Sequence, residues 1–137
     1  MDMSGKEDIK NLLKISGYSD IAIEYFLEKV NVGKIDNPDA YFVHTGPCGD
    51  TMEISLAIEP KSRVIKEAKF QAIGCAGAFS SGSAITEMIK GKTIEQAEKI
   101  EEEDVIDWLG GIPGQKIHCT CLAKKTLKFA LNEYKVV

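Results

Sequence analysis

The stretch from Asp50 to Ala72 limits the fold more than any other part of the chain. Between Asp50 and Glu59, Met52, Ile54, Leu56 and Ile58 alternate with Glu53, Ser55 and Glu59. A period of two sends successive side chains to opposite faces, so this run predicts a strand with one dry face. Pro60-Lys61-Ser62-Arg63 reads as a hairpin turn. The run after it sets Val64, Ala68, Phe70 and Ala72 against Glu67, Lys69 and Gln71, a returning strand that pairs antiparallel and shares the dry face. Lys66 falls on the apolar side and breaks the pattern. With the β-prone run Tyr41-Phe42-Val43, this makes a small three-stranded antiparallel sheet over about residues 40–73.

A sheet with one dry face needs helices to cover it, and the rest of the chain supplies them. Ile9, Leu12 and Leu13 follow a capping-box pair, Ser4 and Glu7, in a short helix over residues 4–16 that Gly17 ends. A second helix starts at Ser19 with Ile23, Phe26, Leu27 and Val30 on one face, and Asn37-Pro38-Asp39 marks a turn. After Cys75 the small residues Ala78 to Ala84 lead into Ile85, Met88 and Ile89, a helix able to press close to the sheet. Thr93 and Gln96 cap a short helix through Ile100, and Asp104 to Leu109 forms another turn or two. The acidic run Glu101 to Asp104 reads as a solvated helix face. Gly110 to Gly114 is a loop, and a last helix runs from about Cys119 to Tyr134, with Ala123, Leu127, Ala130, Leu131 and Tyr134 inward and Lys124, Lys125 and Lys128 outward. The expectation is an α+β domain with helices on one face of the sheet, organised as a helical N-terminal extension (residues 1–17) and a main domain (residues 18–137).

No apolar run approaches membrane-spanning length, and the start lacks the basic-then-apolar pattern of a signal peptide, so a cytoplasmic location is expected. There, four cysteines are metal ligands or reactive thiols before they are disulfides. The net charge is -4 with no basic stripe, which argues against nucleic acid and for a basic protein surface as partner.

The cysteines have unusual settings. Cys48 lies in Gly46-Pro47-Cys48-Gly49-Asp50, Cys75 in Gly74-Cys75-Ala76-Gly77, and Cys119 and Cys121 in Lys116-Ile117-His118-Cys119-Thr120-Cys121. Glycines free the backbone to bend around a bulky ligand, and thiolate and imidazole are the donors that bind borderline metals most readily. Cys75 and Cys119 fall at helix N-termini, where unpaired N–H groups favour an anion. Cys48, Cys75 and Cys119 offer three sulfurs, and Asp50 or His118 a fourth ligand. A core role for the cysteines and a turn-forming role for Asp50 are the plainer alternatives. His44 reads as strand decoration, and Trp108, Phe42, Phe70 and Phe79 as core.

Cys48-Gly49-Asp50, Gly74-Cys75, the run Thr86-Glu87-Met88 through Lys90-Gly91-Lys92-Thr93, and Lys116 to Cys119 ahead of Leu122-Ala123 occur in the order and spacing of a known family. Over about residues 18–135 the chain resembles the IscU/NifU-type iron–sulfur cluster assembly scaffolds. The resemblance implies a non-enzymatic scaffold on which Cys48, Cys75 and Cys119, completed by Asp50 or His118, hold a nascent [2Fe-2S] cluster and pass it to apo iron–sulfur proteins. It implies a cysteine desulfurase as sulfur source and zinc as alternative occupant; an iron donor is a further candidate partner, and three or four ligands per chain would permit a homodimer. Cys119, beside His118 and Lys116, is the expected thiolate-like acceptor of sulfur; Cys121 is read as structural. The SufU-type zinc-binding sulfur acceptors share the fold, but carry an insertion before the last cysteine and lack the histidine. A zinc hydrolase is a third reading, weakened by the lack of a positioned general base. The chain departs from the family in Ala76-Gly77, in Cys121, and in Ile112-Pro113-Gly114-Gln115-Lys116, which stands where the family has Leu-Pro-Pro-Val-Lys; that last change weakens the case for an Hsp70-type chaperone partner.

Overall fold

In the computed structural model, which describes residues 3–47 and 49–136, the elements follow one another as α1 (Met3–Ile15), α2 (Asp20–Glu28), β1 (Ala40–Thr45), β2 (Thr51–Ile58), β3 (Ile65–Ile73), α3 (Ala76–Ile89), α4 (Ile94–Glu98), α5 (Glu102–Leu109), a 3-10 turn (Gly114–Lys116) and α6 (Ile117–Val136). The strands form one antiparallel sheet in the order β1-β2-β3. Met52, Ile54, Leu56 and Ile58 are at most 2% exposed, and α3 and α6 cover that face. Among the described residues, no helix is long and apolar enough to cross a membrane.

The irregularity at Lys66 has a physical cause. The register runs Ala57↔Glu67 and then Ile58↔Ile65, so Lys66 is an extra residue at a bulge and points outward. The inward side chain is therefore Ile65, fully buried, while Val64 lies before the strand and is only half-buried. The outer edge of β3 is also protected. Phe70 N–H donates to the Asn31 carbonyl at 3.0 Å and Gly33 N–H to the Phe70 carbonyl at 2.8 Å, while Ile65 exchanges two bonds with Gly91 and Lys92. Pairing at both ends leaves less of the strand open to other chains.

Helix α3 carries the packing. Its residues from Gly77 to Thr86 are buried except half-buried Phe79, and a Cβ at Gly82 would sit 2.5 Å from the Phe70 ring. Only glycine lets the helix backbone rest on that ring. Phe70 is in turn fully buried, which removes an aromatic side chain from water for ~2–3 kcal/mol.

Local signals place most boundaries. Ser19 caps α2 by accepting from Ala22 N–H at 3.0 Å, and Thr93 and Gln96 form the expected capping box of α4. Others shift. Helix α1 begins by Met3, so Ser4 lies inside it, and its apolar positions are mostly in solvent: Ile9 is 45% and Leu12 63% exposed, with Leu13 alone packed on the core. The acidic run is solvated apart from half-buried Glu102, and it also starts a helix, because Glu101 and Asp104 form the capping box of α5. Helix α6 begins two residues before Cys119, Lys124 is half-buried and donates to the Glu98 carbonyl, and Tyr134 is half-buried. Trp108 is 45% exposed rather than core, its indole N–H held by the Tyr25 hydroxyl at 2.9 Å.

Gly82→Ala tests the packing of α3. Overpacking against Phe70 should lower unfolding stability by ~1–3 kcal/mol in urea titration despite the better helix propensity of alanine; an unchanged midpoint would contradict the close approach.

Candidate metal centre

The sheet register builds one side of the site. Thr51 pairs with Thr45 on one flank and with Ile73 on the other, so Asp50 enters β2 where β3 ends and Gly74-Cys75 begins. The β1–β2 connection closes through Gly46 N–H to the Asp50 carbonyl at 2.9 Å, with Gly49 at φ +89°, a backbone state that favours glycine. A Cβ at Gly74 would meet the Asp50 carboxyl carbon at 2.8 Å. Glycine there is what lets the carboxylate lie beside the start of α3.

Helix packing supplies the other side. Cys75 is the extended N-cap residue of α3 and makes no side-chain cap bond, so its thiol is not tied to the helix end. Helix α6 packs on α3 and brings Cys119, in its first turn, over Gly77. A Cβ at Gly77 would stand 3.0 Å from Cys119 Sγ and 3.3 Å from Lys116 Cβ.

The resulting group is compact. Cys75 Sγ lies 3.6 Å from Cys119 Sγ and 4.0 Å from Asp50 Oδ2, and His118 Nε2 lies 3.6 Å from Cys119 Sγ. Donor atoms of Asp50, His118 and Cys119 all fall within 4.8 Å of one another, the separation expected of ligands around one ion. Cys119 is fully buried, Cys75 and Asp50 are half-buried, and His118 is exposed, so the group opens to solvent on the histidine side. Lys116 is half-buried, and its charge favours the Cys119 thiolate.

The structure thus brings together Asp50, Cys75, His118 and Cys119. Cys48, the third sulfur of the expected set, lies outside the described residues. Cys121 is half-buried with Glu102 and Lys125 as its charged neighbours, and His44 stands on β1 with its ring 5.2 Å from that of Phe129.

One electrostatic expectation is corrected. The Cys119 thiol is not thiolate-like in the metal-free chain, because burial, then Cys75, then Asp50 push it up to about 12, against which Lys116 is the smaller effect. Helix-end stabilisation loses to desolvation. Tyr18 was absent from the sequence-based set, yet its hydroxyl lies 3.4 Å from where a Gly77 Cβ would be, and it is 8% exposed. No periodicity marks that role; its one signal is its place where the family resemblance begins.

Comparison with known proteins decides the family. The model of the NifU-like N terminal domain matches residues 17–137. The chain belongs to the NifU-like N-terminal domain family. It is 44% identical over 118 residues to iron-sulfur cluster assembly scaffold protein IscU 1 of Archaeoglobus fulgidus, covering 85% of this chain and 76% of that one. It is 38% identical over 122 residues to the IscU scaffold protein of Azotobacter vinelandii, covering 86% and 94%. A putative iron-sulfur cluster assembly scaffold protein for the SUF system from Fervidobacterium islandicum superposes with a TM-score of 0.69 at 25% identity, over 83% of this chain and 96% of that one. A NifU-like protein from Brucella abortus superposes at 0.72 with 14% identity, a likeness of fold. In this NifU-like domain, the residues that match the family's Gly-Cys and Lys-to-Cys motifs are the ones the fold brings together.

Two predictions follow from the crowding. Gly77→Ala should push Cys119 off its position and lower unfolding stability by ~1–3 kcal/mol in urea titration; an unchanged midpoint would contradict the geometry. The raised Cys119 thiol sets a pH dependence. The folded chain holds this proton up to about 12 and the unfolded chain only to about 9.0, so the contribution is complete below 9.0 and lost as pH rises from there toward 12. Urea titration of the metal-free chain should show stability falling over that window, and less steeply in Cys119→Ala.

Proposed function

We propose that this chain is an iron–sulfur cluster assembly scaffold. On this reading Cys48, Cys75 and Cys119 with Asp50 or His118 hold a [2Fe-2S] cluster as cargo, which the chain passes on to apo iron–sulfur proteins. The observation that carries it is the convergence of two thiols, a carboxylate and an imidazole from three separate elements at the N-termini of α3 and α6.

The donor set suits that cargo. Close acidic groups with no cation between them repel one another once ionised, and a metal centre removes that penalty by supplying positive charge. Four thiolates would hold a cluster tightly. Replacing one soft sulfur by the hard carboxylate of Asp50 or the imidazole of His118 weakens one attachment and offers an incoming thiolate a position to displace. The Gly74 and Gly77 clearances fit the same purpose, since one leaves room for the Asp50 carboxylate and the other for Cys119 Sγ.

A cysteine desulfurase supplies sulfur on this reading, and Cys119 accepts it. Without a metal, burial and the neighbouring acidic groups hold the proton on Cys119, so acceptance requires the site to open or a metal to be present. Exposed Ile73 (76%) and Ile117 (44%) adjoin Gly74-Cys75 and His118 in sequence and offer apolar contact to donor and recipient proteins.

The zinc-binding sulfur acceptor is the second reading, favoured by the mixed sulfur, nitrogen and oxygen donors, which zinc also accepts. Anaerobic reconstitution with iron and sulfide separates the two. The scaffold gains the visible absorption of a cluster; a chain that stays colourless and retains zinc overturns the scaffold reading. If Asp50 is the exchangeable ligand, Asp50→Ala should lengthen cluster lifetime against a chelator by ~10-fold, and equal or faster loss would assign exchange elsewhere.

A further inference from the structure

Strand alternation turns Glu53 to the sheet face opposite α3 and α6, between Val43 on β1 and Gln71 on β3. One row further from the metal centre, residues 34–35 lie over that face: Ile35 N–H donates to Ser55 Oγ at 3.1 Å, and Lys34 Nζ stands 4.9 Å from the centre of the Tyr41 ring. Toward the metal centre Val43 and Ile73 are exposed instead, and with Thr51, Glu53, Gln71 and Ala72 they line a cavity of about 410 Å³. Ile73 directly precedes Gly74-Cys75, so the cavity ends where the donor group begins. Glu53 is half-buried in it. Its Oε2 accepts from the Tyr41 hydroxyl at 2.8 Å, while Oε1 is out of contact with solvent and has no hydrogen-bond partner. Among the described residues, no lysine or arginine lies within ion-pair distance of this carboxylate. A carboxylate only accepts hydrogen bonds, a desolvated oxygen without a donor is costly, and glutamate is depleted in strands. The strand gains nothing from the acid; a donor from outside does.

We propose that this cavity is a docking site for a partner protein that presents an arginine between apolar side chains, with Glu53 as its anchor. Turning the carboxyl group brings Oε1 to the cavity, where the planar donor fork of a guanidinium satisfies it and shares Oε2 with the Tyr41 hydroxyl. The aliphatic stem of the arginine and its apolar neighbours rest on Val43 and Ile73. Charge selects the partner. Glu53 is the one charged side chain lining the cavity and the chain as a whole carries -4, so a basic surface is drawn in and an acidic one repelled. None of the lining residues is a candidate metal ligand, so this site stands or falls apart from the scaffold reading.

The peptide acetyl-Leu-Arg-Leu-amide, titrated into the isotope-labelled full chain and followed by amide NMR shifts, is the probe. It should saturably move the amides of Val43, Thr51, Glu53, Gln71 and Ile73. The same peptide with citrulline in place of arginine, which keeps the shape and loses the charge, should bind ~10-fold more weakly. Glu53→Gln, with its amide dispersion intact, should weaken the arginine peptide by a similar ~10-fold. A peptide that moves no amide on this face, that acts elsewhere on the chain, or that binds Glu53→Gln as tightly as the wild type overturns the inference. Should Glu53→Gln fail to fold, the citrulline comparison decides on the wild-type chain alone, and equal affinity of the two peptides overturns the inference. Shifts of these same amides with concentration of the chain by itself would give the face to a second copy, and overturn it too.

Discussion

The approach of α3 to its neighbours is the constraint on which the rest of the structure depends. At Gly82 the helix backbone rests on the Phe70 ring, and at Gly77, a turn and a half earlier, it admits Cys119 Sγ, Lys116 and the Tyr18 hydroxyl. One helix therefore fixes both the core beneath the sheet and the distance between the two thiols. Were α3 held off by ordinary side chains, Cys75 would still cap it, but Cys119 would not lie 3.6 Å away.

The same closeness makes the site uncomfortable for charge unless a cation is bound. With Cys75 Sγ 3.6 Å from Cys119 Sγ and 4.0 Å from Asp50 Oδ2, the two thiols and the carboxylate cannot all ionise without a compensating cation. Protonation is the metal-free answer, and metal binding the alternative. Helix N-termini and Lys116 favour the anionic set, but burial outweighs them at Cys119. On the proposed reading, metal occupancy and protonation of Cys119 exclude each other, which suits an inorganic guest that must be both accepted and released.

Much of this was legible in the sequence because it rests on short-range pattern. The alternation in Met52 to Ile58 gave the dry face, and Thr93 with Gln96 gave the α4 cap. What failed depended on long-range contact. Lys66 looked like a flaw because a bulge is invisible until the partner strand is placed, and Ile65 then takes the inward position. The stripe of α1 read as amphipathic, yet the fold offers it little to pack on, so Ile9 and Leu12 stay in solvent. The candidate ligands could be named from their glycine and helix-end settings, while the balance of burial against helix dipole at Cys119, and the arrival of Tyr18 over Gly77, needed three dimensions.

X-ray absorption at the metal edge of the zinc-loaded chain tests the central claim most directly. A centre built on these thiols should give a first shell dominated by sulfur at about 2.3 Å with a lighter nitrogen or oxygen contribution near 2.0–2.1 Å. A shell of nitrogen and oxygen alone would show that the thiols do not hold the metal and would contradict the account.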